Sequence, residues 1–290
     1  MTLTAPKRLL LVHAHPDDET LTTGGTIARY AARDVQVTLV TCTLGEQGEV
    51  IPEHLRGLAA DQADQLGGYR YHELRSACAA LGAVDQRFLG GVGRWRDSGM
   101  VWVRPGLAAP PPDAHPRSFA TGDREAQVAA LEVVLREVEP QVVVTYADDG
   151  GYGHPDHVRA HQVTMDAVAR VPAVRRVFHT VFPRGPVEAG LRGLVDAGSL
   201  PFPPAAVDDL PTVPDEVVTT AVDVREHLSA KIRALGAHAT QVAVWGDGAR
   251  PAGYALSNLV AQPVLDVEHF VLAAGDPNDC ANDLFGGLGG

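Results

Sequence analysis

The chain has 290 residues, 45% hydrophobic and 21% charged, enough for a sizeable core without disulfide staples. Its 24 Lys and Arg against 36 Asp and Glu leave a net charge of −12, which argues against a protein that tracks nucleic-acid phosphates or anionic membrane surfaces. The cysteines (Cys42, Cys78 and Cys280) are scattered and form no CxxC pair. The apolar run near the N-terminus is too short for a signal or a membrane span, so a cytoplasmic, reducing setting is expected.

In chain order, residues 8–13 (RLLLVH) read as a strand buried on both faces. A turn at 15–18 leads into a helix carrying Leu21, Ile27, Ala28, Tyr30 and Ala31, which ends near Asp34. Residues 35–43 form a second, β-branched strand. Helical spacing over 69–81 (Leu74, Ala77, Cys78, Leu81) stops at Gly82, and 87–89 is a brief third strand. The stretch 90–122, rich in Gly and Pro, reads as a long surface loop. Residues 127–138 are an amphipathic helix ended by Pro140; 141–146 are the fourth strand, 158–168 a helix and 176–181 a further strand. Residues 183–214 are Pro-rich and irregular, 217–222 a strand and 225–238 a helix, and the closing Gly-Gly-Leu-Gly-Gly reads as a loose end. No internal repeat is present. The strand–helix alternation predicts an α/β class: a Rossmann-like, doubly wound, mostly parallel sheet. Residues 1–182 form the catalytic region. Residues 183–290 are an appended C-terminal α+β lobe that completes the substrate site within one compact unit.

In open α/β sheets ligands bind beyond the carboxyl ends of the strands. Two polar clusters fall there: His13-Ala14-His15-Pro16-Asp17-Asp18-Glu19 after the first strand, and YADDGGYGHPDH (146–157) after the fourth. The first occupies the place of the glycine-rich turn that a dinucleotide-binding oxidoreductase needs, which removes the main support for that reading. Imidazole and carboxylate ligands suit zinc or iron, and a catalytic zinc keeps three protein ligands and an open position. His15 and Asp18 are three apart, as are His154 and His157, so one more ligand from the second cluster completes a site. Asp17 adjoins the ligands where a general base must stand. Taken singly, Asp17-Asp18 reads as a helix cap and HPDH as a solvated loop. Two such clusters at adjacent strand ends are hard to explain as capping.

Tyr146 ends a strand and reads as a core aromatic, whereas Tyr152 lies among glycines and reads as a mobile phenol beside the metal. His13 is expected to pack beneath the site. His161 and Gln162 read as an ordinary exposed turn, and Cys42 and Cys78 as small buried hydrophobes.

These residues resemble the LmbE-like (PIG-L) zinc-dependent N-deacetylases. The matching stretches are VHAHPDDE (12–19), VTCTLGEQGEV (40–50), DQLGGYR (64–70), GGVGRWRDSGM (90–100), VVVTYADDGGYGHPDHV (142–158), AHATQV (237–242) and ALSN (255–258). The resemblance implies a Rossmann-like hydrolase holding one Zn2+, with Fe2+ suiting the same ligands, on His15, Asp18 and His157. It implies Asp17 as base, His154 as electrostatic or acid partner of the tetrahedral intermediate, Asp156 setting the charge state of His154, and Tyr152 polarising the acetyl carbonyl. Glu49, Arg70, Asp97 and Gln241 would hold sugar and inositol hydroxyls, with Arg70 and Asp97 on loops facing the crevice away from the metal. The implied partner is a small amino-sugar inositol, with no nucleic acid and no membrane. Where the family has Asp-Pro-Asn, this chain has Ala147-Asp148-Asp149, and residues 183–215 match poorly. A sister branch, the mycothiol S-conjugate amidases, carries a lysine where this chain has Thr22. From other classes, the rival is a non-catalytic metal- or carbohydrate-binding α/β domain. It has no need of Asp17.

Overall fold

The computed structural model describes residues 6–198, 200–246 and 251–288. The elements run β1 (Arg8–His13), α1 (Asp18–Ala31), β2 (Gln36–Thr41), α2 (Leu66–Leu81), β3 (Val84–Phe88), β4 (Val101–Arg104), β5 (Leu107–Ala109), α3 (Arg124–Val138) and β6 (Val142–Tyr146). They continue through α4 (Pro155–Val168), β7 (Arg176–Val181), α5 (Arg184–Asp196), β8 (Thr220–Asp223), α6 (Leu228–Ala237), β9 (Ala243–Trp245), β10 (Gly253–Ala255), β11 (Gln262–Pro263) and β12 (Val267–Gly275). No helix among the described residues is long and apolar enough to cross a membrane.

Seven strands form one sheet in the order β3-β2-β1-β6-β7-β12-β8. The first five are parallel, and β12 runs antiparallel to both β7 and β8. Side chains alternate across a strand, so the continuous apolar run of β1 serves two cores. Leu9 and Leu11 pack with Ile27, Leu74, Leu81 and Ala234 from α1, α2 and α6. Leu10 and Val12 pack with Val128, Leu131, Ala160 and Val163 from α3 and α4. Chain order leaves β1 toward β2 on one side and returns to β6 on the other. The crevice beyond β1 and β6 is therefore the topological switch point, where such sheets bind ligands.

Several sequence expectations are corrected. The 90–122 stretch is not a surface loop throughout: β4 and β5 form a hairpin, and Trp95, Asp97, Ser98, Ser118 and Phe119 are buried. Residues 183–214 contain α5, whose Val187, Leu191 and Leu194 are buried at helical spacing despite Gly185, Pro186, Gly190 and Gly193. HPDH, which taken singly reads as a solvated loop, is buried and helical from Pro155, in line with the reading of the two clusters together. Pro155, Asp156 and His157 are the first turn of α4, with Pro at the position where its missing N–H costs nothing. The C-terminal end is not loose where it is described, since Leu284 and Phe285 are buried and Leu288 packs on the same core; Gly289 and Gly290 lie outside the described residues. The last third also reaches further into the fold than a lobe beside it, because β8 and β12 are strands of the main sheet.

Candidate functional site

β1 delivers His13, Ala14 and His15 to the crevice, and β6 delivers Tyr146 and the loop that runs into α4. That loop turns through three glycines with left-handed backbone, Gly150, Gly151 and Gly153. A Cβ on Gly150 (φ +68°) would fall 2.7 Å from the His157 Cβ, and one on Gly153 (φ +84°) 2.6 Å from the Ala108 carbonyl oxygen. The glycines thus let the loop fold back against its own helix and against the β4–β5 hairpin.

Three donor atoms converge. His15 Nδ1 lies 3.3 Å from Asp18 Oδ2 and 3.3 Å from His157 Nε2, and His157 Nε2 lies 3.4 Å from Asp18 Oδ2. Ligands bound at about 2.0–2.1 Å in a tetrahedron stand roughly 3.3–3.4 Å apart, which is the edge length of this triangle. The outward nitrogens of both rings face acceptors: His15 Nε2 is 3.2 Å from Asp156 Oδ2, and His157 Nδ1 is 3.2 Å from the Gly150 carbonyl oxygen. With those acceptors outside, each ring, once neutral as ligation requires, would carry its proton outward and turn a bare lone pair inward, the tautomer that metal ligands need. The donor set fits a divalent ion. Wider groupings bring in more donors, His154 with His15 and His157, or Asp97 and Asp156 with His15, each within 4.8 Å. The tight triangle is the more regular cradle, and His154 Nδ1 is already spent capping α4.

Asp17 precedes the triangle as N-cap of α1, but its carboxylate makes no cap. Oδ2 instead accepts from Arg70 Nη2 at 3.1 Å. Its backbone sits at φ 123°, ψ −32°, a conformation that costs a non-glycine residue about 1–3 kcal/mol. Burial pushes the Asp17 carboxyl up to about 6; Arg70 opposes this and Asp18 adds to it. A base near 6 is basic enough to take a proton and stays ionised at neutral pH.

His154 is buried, and its ring centroid lies 4.6 Å from that of His15 and 4.9 Å from that of His157. Burial, then the charge of those two rings, holds it well below the usual histidine range. Its Nδ1 accepts from the Asp156 backbone N–H at 3.1 Å, so the neutral ring carries its proton on Nε2 and is a hydrogen-bond donor there. The Tyr152 ring centroid is 5.0 Å from His157 and 5.9 Å from His154, and burial raises its hydroxyl pKa so that it stays protonated.

The expected placements change in three places. The Asp156 carboxylate meets His15 and the Ser98 N–H and hydroxyl, not His154, so it orients a ring of the triangle rather than setting the charge of His154. Arg70 lies on α2, not on a loop, and is buried. It donates to the Gly45 and Pro16 carbonyls and to Asp17. Asp97 does not face away from the cluster: its Oδ1 is 3.5 Å from His15 Nε2, and its oxygens accept from the Gly99 and Gln47 N–H groups. Glu49 is exposed, while Gln241 is buried beside the 45–48 turn and donates to Thr240 Oγ1 at 3.1 Å.

His13 packs beneath the site as expected, with Nδ1 3.3 Å from the Tyr146 hydroxyl. His161 is half-buried rather than exposed, and its Nδ1 lies 3.0 Å from the Tyr146 carbonyl. Tyr146 is more than a core aromatic. Its hydroxyl accepts from Ala14 N–H and donates to Asp18 Oδ2, both at 2.8 Å, and its ring stacks on His157 at 4.2 Å. Its position at a strand end was the signal. Glu46, which accepts from Asp97 N–H at 3.0 Å, and the Glu19–His238 pair carried no local signal at all.

The family described as GlcNAc-PI de-N-acetylase (PIG-L) matches residues 10–168. The 1D-myo-inositol 2-acetamido-2-deoxy-alpha-D-glucopyranoside deacetylase 1 of Saccharopolyspora erythraea is 69% identical over 100% of this chain and 97% of its own length. The deacetylase of the same name from Actinosynnema mirum is 63% identical over 100% of both. Among solved structures, GalB, the 4-carboxy-2-hydroxymuconate hydratase of Pseudomonas putida KT2440, superposes with a TM-score of 0.57 at 17% identity, over 93% of this chain and 97% of that one. That likeness concerns the fold. A hydratase on the same scaffold illustrates that chemistry must be read from the site.

Proposed function

The chain belongs to the GlcNAc-PI de-N-acetylase (PIG-L) family, and from that premise we propose that it is a metal-dependent hydrolase removing acetyl from 1D-myo-inositol 2-acetamido-2-deoxy-alpha-D-glucopyranoside, a step of mycothiol biosynthesis. Full-length relatives at 63–69% identity bearing that substrate's name support the reading. The observation that carries the chemistry is the 3.3–3.4 Å donor triangle beside the partly buried carboxylate of a residue with strained backbone. His15, Asp18 and His157 would hold the ion, for which Zn2+ and Fe2+ are equally suitable by ligand type. When bound, it acts as a Lewis acid on the acetyl oxygen and acidifies the attacking water. Asp17 takes the proton as water adds to the amide carbon. The Tyr152 hydroxyl and His154 Nε2–H donate to the developing oxyanion. The C–N bond then breaks, and the proton held on Asp17 goes to the departing amine, releasing acetate. Arg70 holds the Asp17 carboxylate, and Asp156 holds His15. Asp97, Glu49 and Gln241 are the candidates for substrate hydroxyls, with residues 183–290 completing the site built by 1–182.

The test offers purified protein N-acetylglucosaminyl-inositol, free N-acetylglucosamine and a mycothiol S-conjugate, and measures free amine with and without a chelator. Chelator-sensitive release that is fastest from the inositol-linked sugar supports the reading. Faster conjugate cleavage moves the chain to the amidase branch, and no release from any of them overturns the proposal.

A further inference from the structure

Glu19 and His238 form a buried pair that the chemistry above leaves unused. Glu19 sits in the first turn of α1 and His238 at the C-terminal end of α6, both with no exposed surface. His238 Nε2 is 2.7 Å from Glu19 Oε1. Burial on its own would raise the Glu19 carboxyl, but the imidazole, together with the hydrogen bonds from Thr20 and the Asp17 amide, holds Glu19 below the usual carboxylate range. The Thr20 hydroxyl donates to the same Oε1 at 2.5 Å. The other oxygen, Oε2, accepts from the backbone N–H of Asp17 at 2.9 Å.

That last bond falls on the residue whose backbone most needs holding. An aspartate at a helix N-cap ordinarily fixes its own turn by accepting from the second or third amide of the helix. Asp17 does not, because its carboxylate is turned to Arg70. Its φ of 123° is thus maintained without the usual cap, and a residue in such a conformation persists only when its surroundings over-determine it. Arg70 fixes the side chain from α2, and Glu19 fixes the amide from α1. Glu19 is itself fixed by a side chain 219 residues away.

We propose that the Glu19–His238 pair is the positioning device for Asp17, clamping the strained amide so that the carboxylate meets the attacking water in a single orientation. The inference rests on Asp17 being the base in the proposed reaction. It assigns to α6 a part in catalysis through one backbone N–H.

The experiment compares Glu19→Ala, His238→Ala, the double variant and His238→Gln in the full-length, metal-loaded protein, for kcat, KM, bound metal and Tm. Each alanine variant is expected to lower kcat by about 10–10²-fold, the scale on which misplacing a catalytic group acts, with KM little changed and metal retained. The double variant is expected to be no slower than the slower single one, since both break the same clamp. His238→Gln, whose amide can still donate to Glu19, is expected to recover most of the loss. A pair that merely braces α1 against α6 would lower Tm and leave kcat per bound metal unchanged; that result overturns the proposal, as does parallel loss of metal and activity. If the alanine variants do not fold, Glu19→Gln takes their place. It still accepts from Asp17 N–H but forces the His238 proton on to Nδ1, which has no partner, so it must be slower than His238→Gln; equal rates overturn the clamp. Full activity in Asp17→Asn is a separate outcome that removes the base reading itself.

Discussion

The parallel part of the sheet and the C-terminal third contribute to α1 in different ways. Strands β1 and β6 bring every donor of the triangle, with its flanking acceptors, to one crevice. The C-terminal third brings none of those donors, yet it grips α1 at two buried points. His238 holds Glu19 at the start of the helix, and farther along Glu268 accepts from the Gly25 and Thr26 amides while pairing with Lys231 at 2.6 Å. On the proposed reading, one region supplies the reacting groups and the other supplies the stiffness behind them. The difference teaches that a substitution's distance from the cluster says little about whether it will be felt there.

The largest effect should come from breaking the donor side outright. His157→Ala is expected to leave the protein largely depleted of metal and without measurable turnover, as elemental analysis beside an amine-release assay would record. Asp17→Asn should keep the metal and lose about 10²–10⁴-fold in kcat, the range for removal of a general base. Simultaneous loss of metal would make Asp17 a ligand and erase the division between neighbouring aspartates. His154→Ala should cost about 10²–10³-fold in kcat with little change in KM, as expected for one oxyanion donor. A pure KM effect would demote it to substrate positioning.

On the supporting side, Lys231→Met leaves Glu268 as an unpaired buried carboxylate and should cost about 3–5 kcal/mol of stability in urea unfolding, while the folded fraction keeps its kcat per bound metal. Loss of kcat without loss of stability would dissolve the contrast between the two regions. The smallest effect concerns His179 on β7, which burial, reinforced by His161, pushes down to about 4. Its folded pKa lies below its unfolded value near 6.5, so the unfolded chain binds the extra proton first. The stability this group contributes is complete above pH 6.5 and drains away as pH falls toward 4. Replacing His179 by Leu should flatten that part of the stability–pH curve relative to the native chain, and an unchanged slope would mean the ring is not held neutral.

Much of this was legible locally. The strand at 8–13 has the predicted bounds, α3 gave itself away through Val128, Leu131 and Leu135, and the two polar clusters stand where strand ends place them. What was hidden was hidden for physical reasons. In α5 the buried Val187, Leu191 and Leu194 keep helical spacing, but a proline and three glycines drown the signal. Trp95, Asp97 and Phe119 are buried in a segment without periodicity, so composition alone gave its turns and not its burial. Arg70 looked free for substrate although the helical spacing over 69–81 already includes it, because nothing in DQLGGYR announces a partner at Asp17. The Glu19–His238 contact joins residues with no local relation at all. Such pairs are set by topology, and topology is what a single sequence conveys least.

The place of β12 between β7 and β8 also sets when the enzyme can come into being. During synthesis at about 5–20 residues per second, Glu19 waits roughly 10–45 s before His238 is made, and β12, which bridges β7 to β8, follows later still. Through that interval α1 lacks both of its C-terminal grips, so His15 and Asp18 lack the backing that stiffens the finished site, and β7, once made, stays an open edge until β12 follows. Long-range closure of this kind makes folding slow and leaves the nascent chain exposed to association through that edge. A ribosome stalled short of residue 238 should therefore carry a chain able to fold its parallel strands yet unable to deacetylate.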